Sequence, residues 1–234
     1  MMRTVAMCLA FCGSLSATAA RTYYAGASVE TVAPYFWFTD SVYTYEVSVE
    51  WYRAARYDFP VSPAFGVHTG FSDTISESWR LGIEFGYLYA LPAESSIRTQ
   101  QQVNATTVQM RETATLTHHI PRLSLRFENI ISADWNIFWR LGLAYHATRR
   151  TIDPQPQNLP PGVTLYPGNY PVRDDTFGVF TADLAFGAEY VPIAHHGISL
   201  SVMLNPTIVY PETVRNHIVM PYFATLSIGY RYLW

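Results

Sequence analysis

Beyond its first twenty residues, this chain places an apolar or aromatic side chain at every second position in eight separate stretches. A period of two is the pattern of a β-strand with one greasy face. It is plainest in Trp79, Leu81, Ile83, Phe85, Tyr87 and Tyr89, and again in Ile137, Trp139, Leu141, Leu143 and Tyr145. The same alternation runs through 23–29, 65–71, 123–127, 180–190 and 198–204, and through the last strand, from Tyr222 to Trp234. No stretch after residue 20 carries 18 uninterrupted apolar residues, which removes a transmembrane helix. The chain is read as all-β.

A sandwich also alternates, so the rhythm of the connections decides between the two. Residues 72–78, 131–135 and 191–197 are short links, whereas 37–61, 93–116, 152–175 and 211–219 are longer. Short turns on one side and long loops on the other belong to transmembrane barrels. Aromatics gather at the strand ends: Tyr23, Trp79, Trp135, Tyr232 and Trp234 at one side, Tyr87, Tyr89, Tyr145, Tyr210 and Tyr222 at the other. Such girdles mark membrane interfaces. An eight-stranded antiparallel transmembrane barrel of the outer-membrane type follows, spanning 21–234, with both termini in the periplasm. The segment 42–53 also alternates; an odd strand would break that parity, so it is assigned to the first external loop.

Composition agrees. Only 14% of residues are charged, against 49% hydrophobic and 15% aromatic, where a soluble protein carries about a quarter charged. The start, MMRTVAMCLAFCGSLSATAA, has Arg3, an apolar run from Val5 to Leu15 and an Ala17-Thr18-Ala19 cleavage site. It reads as a signal peptide over 1–20 and sets the location as the bacterial outer membrane. Phe11, where a small residue is wanted, argues against lipidation at Cys12. Both cysteines, Cys8 and Cys12, leave with that segment, so no disulfide or thiolate chemistry is expected. The balance of charge is acidic, which removes nucleic acid as a partner.

The parity opposite to the apolar set gives the lumen. It holds Glu30, Arg80, Glu84, Arg122, Arg126, Glu128, Arg140, Asp183, Glu189 and Arg231, five arginines against five acids. In so narrow a bore balanced charges are expected to pair into a plug. Toward the external ends the inward residues turn apolar: Leu88, Ala90, Ile120, Val179, Val209 and Phe223, with His118 and His146 beside them. Such a cup suits a small hydrophobic ligand; equally, these residues could pack the loops onto the barrel. Pro121 and Pro206 lie within their strands, where a residue without an N–H interrupts pairing and could open the wall sideways. No cofactor or metal is expected. His118-His119 and His195-His196 are adjacent, and neighbours along a strand face opposite ways. No Ser, His and carboxylate share a spacing that suggests a triad, so the chain is not read as an enzyme.

Several segments together resemble the OmpW family of small outer-membrane barrels. THHIPRLSLRFENIISADWNIFWRLGLAY is similar to the family's His-His-Leu-Pro-Pro strand, and AFGVHTGFSDTISESWRLGIEFGYLYALP to its second hairpin. AGASVETVAP resembles the first strand, and MPYFATLSIGYRYLW the closing Asp-Pro-Trp…Gly-Tyr-Arg-Phe segment. Arg122 stands where the family has a second proline and Met220 where it has Asp, and the first loop is longer. The resemblance implies an eight-stranded barrel whose hydrophobic lumen pocket passes small apolar molecules sideways into the membrane. Ile228, Tyr230, Tyr232 and Trp234, alternating up to a terminal aromatic, resemble the signal read by the outer-membrane assembly machinery. Expected partners are therefore that machinery, outer-membrane lipid, a small apolar ligand and, if the loops carry the function, extracellular macromolecules.

Overall fold

The computed structural model describes residues 21–42, 51–55, 60–103, 106–157, 173–209 and 218–234. The expected signal segment and most of 211–219 lie outside them. All described regular structure is β: β1 Arg21–Val42, β2 Trp51–Ala55, β3 Ser62–Ser76, β4 Trp79–Val103, β5 Thr106–Ile130, β6 Trp135–Gln157, β7 Arg173–Ile193, β8 His196–Val209 and β9 Ile218–Leu233.

From β3 to β9 each strand pairs antiparallel with the next; β1 pairs with β2 and β3 and closes the ring on β9 through a ladder from Tyr24↔Leu233 to Phe38↔Ile218. Closure removes the exposed edges that an open sheet would leave. The seam is tied at its base by two backbone bonds, Tyr23 N–H to Trp234 O at 3.0 Å and Trp234 N–H to Tyr23 O at 2.9 Å. The alternating C-terminal strand is thus the closing stave.

Eight staves make the ring, because β2 lies only against β1 and the closed circuit runs from β1 through β3 to β9. Both β2 and β3 pair with β1, at Phe38↔Ala55 and Val32↔Ser62. The segment 42–53, read as loop, therefore contributes its described part to a hairpin above the barrel and adds no ninth stave.

The short links are tighter than the sequence reading had them. The first turn is Glu77–Ser78, not 72–78, and the third is Ala194–His195, not 191–197. At the far end the described parts of 93–116 and 152–175 are not irregular loops. β4 and β5 stay paired from Ala93↔Leu116 to Val103↔Thr106, and β6 follows β5 as far as Gln109↔Gln157.

The amphipathic pattern inverts along these long strands. On β5 the outward residues Leu123, Leu125 and Phe127 are apolar, while Thr113, Thr115 and Thr117 above them are polar. Inward, Arg122, Ser124, Arg126 and Glu128 are polar, while Ala114, Leu116 and Ile120 are apolar and buried. The crossover lies at Pro121, level with Tyr87 on β4 and opposite Tyr145 on β6. A wall that is apolar outside below this level and polar outside above it is built for lipid below and water above. From Trp135 to Tyr145 is about ten residues, which at a strand tilt near 40° spans roughly 25 Å, the height of an apolar barrel band. Aromatic pairs rim it: Trp135–Tyr190 at 4.8 Å and Trp79–Trp139 at 5.9 Å toward the base, Tyr145–Phe180 at 4.8 Å toward the rim. The chain is an eight-stranded antiparallel β-barrel of the outer-membrane type.

Candidate functional site

The lumen is built in two storeys. In the lower one all ten charged residues read from parity project inward, and eight of them are buried. Arg231 donates from Nη1 to Glu128 at 2.6 Å and from Nε to Glu189 at 2.8 Å, with Nη2 also on Glu189. Arg126 donates from Nε to Glu128 at 2.6 Å and lies 3.5 Å from both Glu84 and Glu189. Arg140 reaches Glu84 at 2.6 Å, and Arg80 stands 4.0 Å from Glu128. Three carboxylates on β4, β5 and β7 are thereby stitched to arginines on β4, β5, β6 and β9. This is the plug that the charge balance predicts, since a buried charge is stable only when matched.

Asp183 departs from the expected arginine pairing. Among the described residues its partners are the Ser124 hydroxyl at 2.8 Å and the Asn205 amide at 3.5 Å. Residues that the sequence reading passed over complete the storey. Tyr24 donates its hydroxyl to Glu84 at 3.2 Å and lies under the Arg231 guanidinium, 4.5 Å away. Phe138 carries Arg126 at 3.8 Å over its ring. Both share the parity of the charges, so the same count that found the arginines could have found them. Glycines give these rings their room: a Cβ on Gly187 would lie 2.6 Å from the Phe138 ring, and one on Gly70 would lie 2.7 Å from the Tyr24 hydroxyl.

Arg122 belongs to the lower storey. Its guanidinium turns down to Glu30 at 3.0 Å and to the Met203 sulfur at 3.2 Å, and that sulfur also accepts from Arg140. Its charge is thereby drawn away from the apolar residues above.

The upper storey is one apolar cluster: Val32, Ala64, Leu88, Ala90, Ala114, Leu116, Ile120, Ala144, Ile152 and Val179, each at most 3% exposed. Leu88, Ala90, Ile120 and Val179 meet there as expected. His118 and His146 are buried at the same height, and His118 Nδ1 is 2.9 Å from the Thr148 hydroxyl. Val32, Ala64, Ala114, Leu116, Ala144 and Ile152 are additions, three of them from segments read as loop. The side chains of Val209 and Phe223 lie outside the described residues; their backbones pair with Phe180 and with Pro34 and Asn205.

Both prolines coincide with interruptions of the ladder. Between β5 and β6 pairing stops at His119↔Ala147 and resumes at Arg122↔Ala144, skipping Ile120 and Pro121 opposite Tyr145 and His146. Between β7 and β8 it stops at Leu184↔Leu204 and resumes at Thr181↔Thr207, skipping Asn205 and Pro206. Here the Asn205 side-chain amide donates to the Ala182 carbonyl at 3.0 Å and partly replaces the lost rung. Ile120 and His146 line the upper storey on the inner side of the β5–β6 interruption, and exposed Pro121 and Tyr145 face lipid on the outer side.

No family model matches the chain, and no curated protein matches it. Solved structures similar to it include the outer membrane protein OprG from Pseudomonas aeruginosa, at 12% identity over 92% of this chain and 96% of that one, with a TM-score of 0.48. The outer membrane protease OmpT from Escherichia coli gives 8% identity, 91% and 97% coverage and 0.49. Ail, the attachment invasion locus protein of Yersinia pestis, gives 8%, 92%, 97% and 0.42. The closed ladder, rather than these likenesses, carries the fold.

Proposed function

We propose that this barrel works in the bacterial outer membrane, taking small apolar molecules into its upper storey and releasing them sideways into lipid, as its resemblance to the OmpW family implies. The observation that carries this reading is the coincidence of the apolar cluster with the interruption of the ladder at Pro121. Downward movement meets the ion-paired plug, where an apolar solute would have to break buried charge pairs. A lateral route crosses only a missing rung between Ile120–Pro121 and Tyr145–His146. A ligand would wedge the packed side chains apart on entering, which flexible contacts at a break allow more cheaply than a full ladder.

The test is a staple. Chain 21–234 carrying Pro121→Cys and Tyr145→Cys has no other thiol and is reconstituted in vesicles with lipopolysaccharide in the outer leaflet. Uptake of the apolar dye 1-N-phenylnaphthylamine is followed by fluorescence. The expectation is faster uptake through the unmodified barrel, its loss on oxidation of the staple, and its return on reduction. Ile120→Arg should abolish it. Uptake that ignores both the staple and Ile120→Arg overturns the reading. Function would then pass to the polar outer face of β4–β6 beyond the interface, a scaffold for binding extracellular macromolecules.

A further inference from the structure

The outward wall above the aromatic girdle contains a local electrostatic conflict. Arg98 on β4 and Arg111 on β5 are Cα partners across the ladder, and both are exposed. Like charges placed directly opposite in an antiparallel pair are destabilising. This chain has more acids than bases and matches another cation on the same wall: Arg149 lies 2.5 Å from Asp174 on the neighbouring strand. Among the described residues neither Arg98 nor Arg111 makes an ion pair. The outward acid nearest in the ladder, Asp153, pairs with Thr113 and accepts the Gln155 amide at 3.0 Å.

A hollow between the two arginines is lined also by Ser96, Ile97 and Gln157. Ser96 is fixed by the Thr113 hydroxyl at 3.0 Å. Two forked, permanently charged donors with a neutral amide beside them and no carboxylate between them match a tetrahedral anion, which guanidinium groups bind bidentately. The site lies nine residues beyond Tyr89, roughly 20–30 Å along the strand from the interface. At that height an outer-membrane barrel is surrounded by the saccharide of outer-leaflet glycolipid rather than by acyl chains.

We propose that Arg98 and Arg111 form a phosphoryl-binding site that holds a phosphate group on the saccharide of the surrounding glycolipid. The bound dianion removes the repulsion between the arginines and ties the β4–β5 extension to the leaflet. This site is distinct from the apolar cluster: its two arginines stand on the other face of the wall and above it, with Ile97 alone of the lining residues packed against the cluster.

The full barrel and its Arg98→Gln/Arg111→Gln variant are purified in detergent and titrated with phosphorylated lipopolysaccharide, with the same material after phosphatase treatment, and with inorganic phosphate alone. The readout is fluorescence anisotropy of a labelled lipopolysaccharide. Loss of charge-assisted bonds from two arginines is expected to weaken binding about tenfold or more. Phosphatase treatment of the ligand should cause a comparable loss, and wild-type affinity should fall with salt. Competition by millimolar inorganic phosphate assigns the recognition to the phosphoryl group itself; its failure to compete assigns it to phosphate in its saccharide setting, and either supports the site. Both side chains are exposed, so the variant should keep the wild-type circular dichroism and heat-modifiable mobility. Equal binding by the variant, or by dephosphorylated lipopolysaccharide, overturns the proposal.

Discussion

The guanidinium of Arg231 on β9 meets Glu128 on β5 at 2.6 Å, across the lumen and 103 positions along the chain. The same group is the principal partner of Glu189; without it Glu189 would keep only Arg126 at 3.5 Å, and Glu128 would share that same Arg126 and the more distant Arg80 at 4.0 Å. Arg231→Gln should therefore destabilise the barrel by about 3–5 kcal/mol, the cost of breaking a buried pair from one side. Arg231→Lys should recover only part of this, because a single ammonium cannot bridge two carboxylates as a fork does. Guanidinium unfolding in micelles, followed by tryptophan fluorescence, measures both. A loss below 1 kcal/mol for Arg231→Gln would mean that water replaces the guanidinium and that the plug is not sealed.

Above the membrane, Asp174 pairs with Arg149, whose hydrogen bond and charge hold its carboxyl below the usual carboxylate range. A depressed folded-state pKa contributes stability that is present above the unfolded value of 3.8 and lost as pH falls through the folded one. Protection of the amides at the rim of the β6–β7 ladder, near Thr151, measured against the intrinsic exchange rate at each pH, should therefore fall on acidification below that value. Asp174→Asn should show the reduced protection already at neutral pH and little further change in it on acidification. Because the pair is exposed, the effect should stay local and shrink with salt.

Much of this was legible in the sequence because a barrel wall has only two faces. Once Trp79 and Tyr89 point outward, Arg80, Glu84 and Leu88 must point inward, and the structure agrees at each. Three things were missed. Which arginine meets which acid depends on the stagger around the ring, and a single strand does not carry that. The rings of Tyr24 and Phe138 obey the same parity as the charges, but an apolar residue facing a polar lumen contradicts the rule used to find strands. The upper parts of β4, β5 and β6 were read as loop because the solvent changes from lipid to water at Pro121. The outward face then becomes threonine and charge, and a search for apolar-out alternation stops there.

The base turn Ala194–His195 holds the one described non-glycine residue with positive φ, His195 at 76°. Its ring offsets the strain by donating from Nδ1 to the Leu233 carbonyl at 2.7 Å, beside the closing strand. His195→Val loses that bond and adds a β-branch where left-handed backbone already costs roughly 1–2 kcal/mol. A drop of about 2 kcal/mol is expected in the same unfolding assay. His195→Gly should lie near wild type, since relief of strain offsets the lost bond and the added unfolded-state entropy.

The inversion on β5 makes the sharpest test of where lipid ends. Leu125 and Thr115 share a strand and an outward face, and stand on opposite sides of Pro121. Leu125→Arg puts a charge near the middle of the apolar band and should cost about 2–4 kcal/mol in lipid vesicles. Thr115→Arg lies in water and should change stability by no more than about 0.5 kcal/mol. In a detergent that covers the whole wall the two should converge, because the difference lies in the solvent and not in the packing. Equal costs for both in vesicles would place the boundary above Thr115, and the break at Pro121 would then open inside the bilayer instead of at its edge.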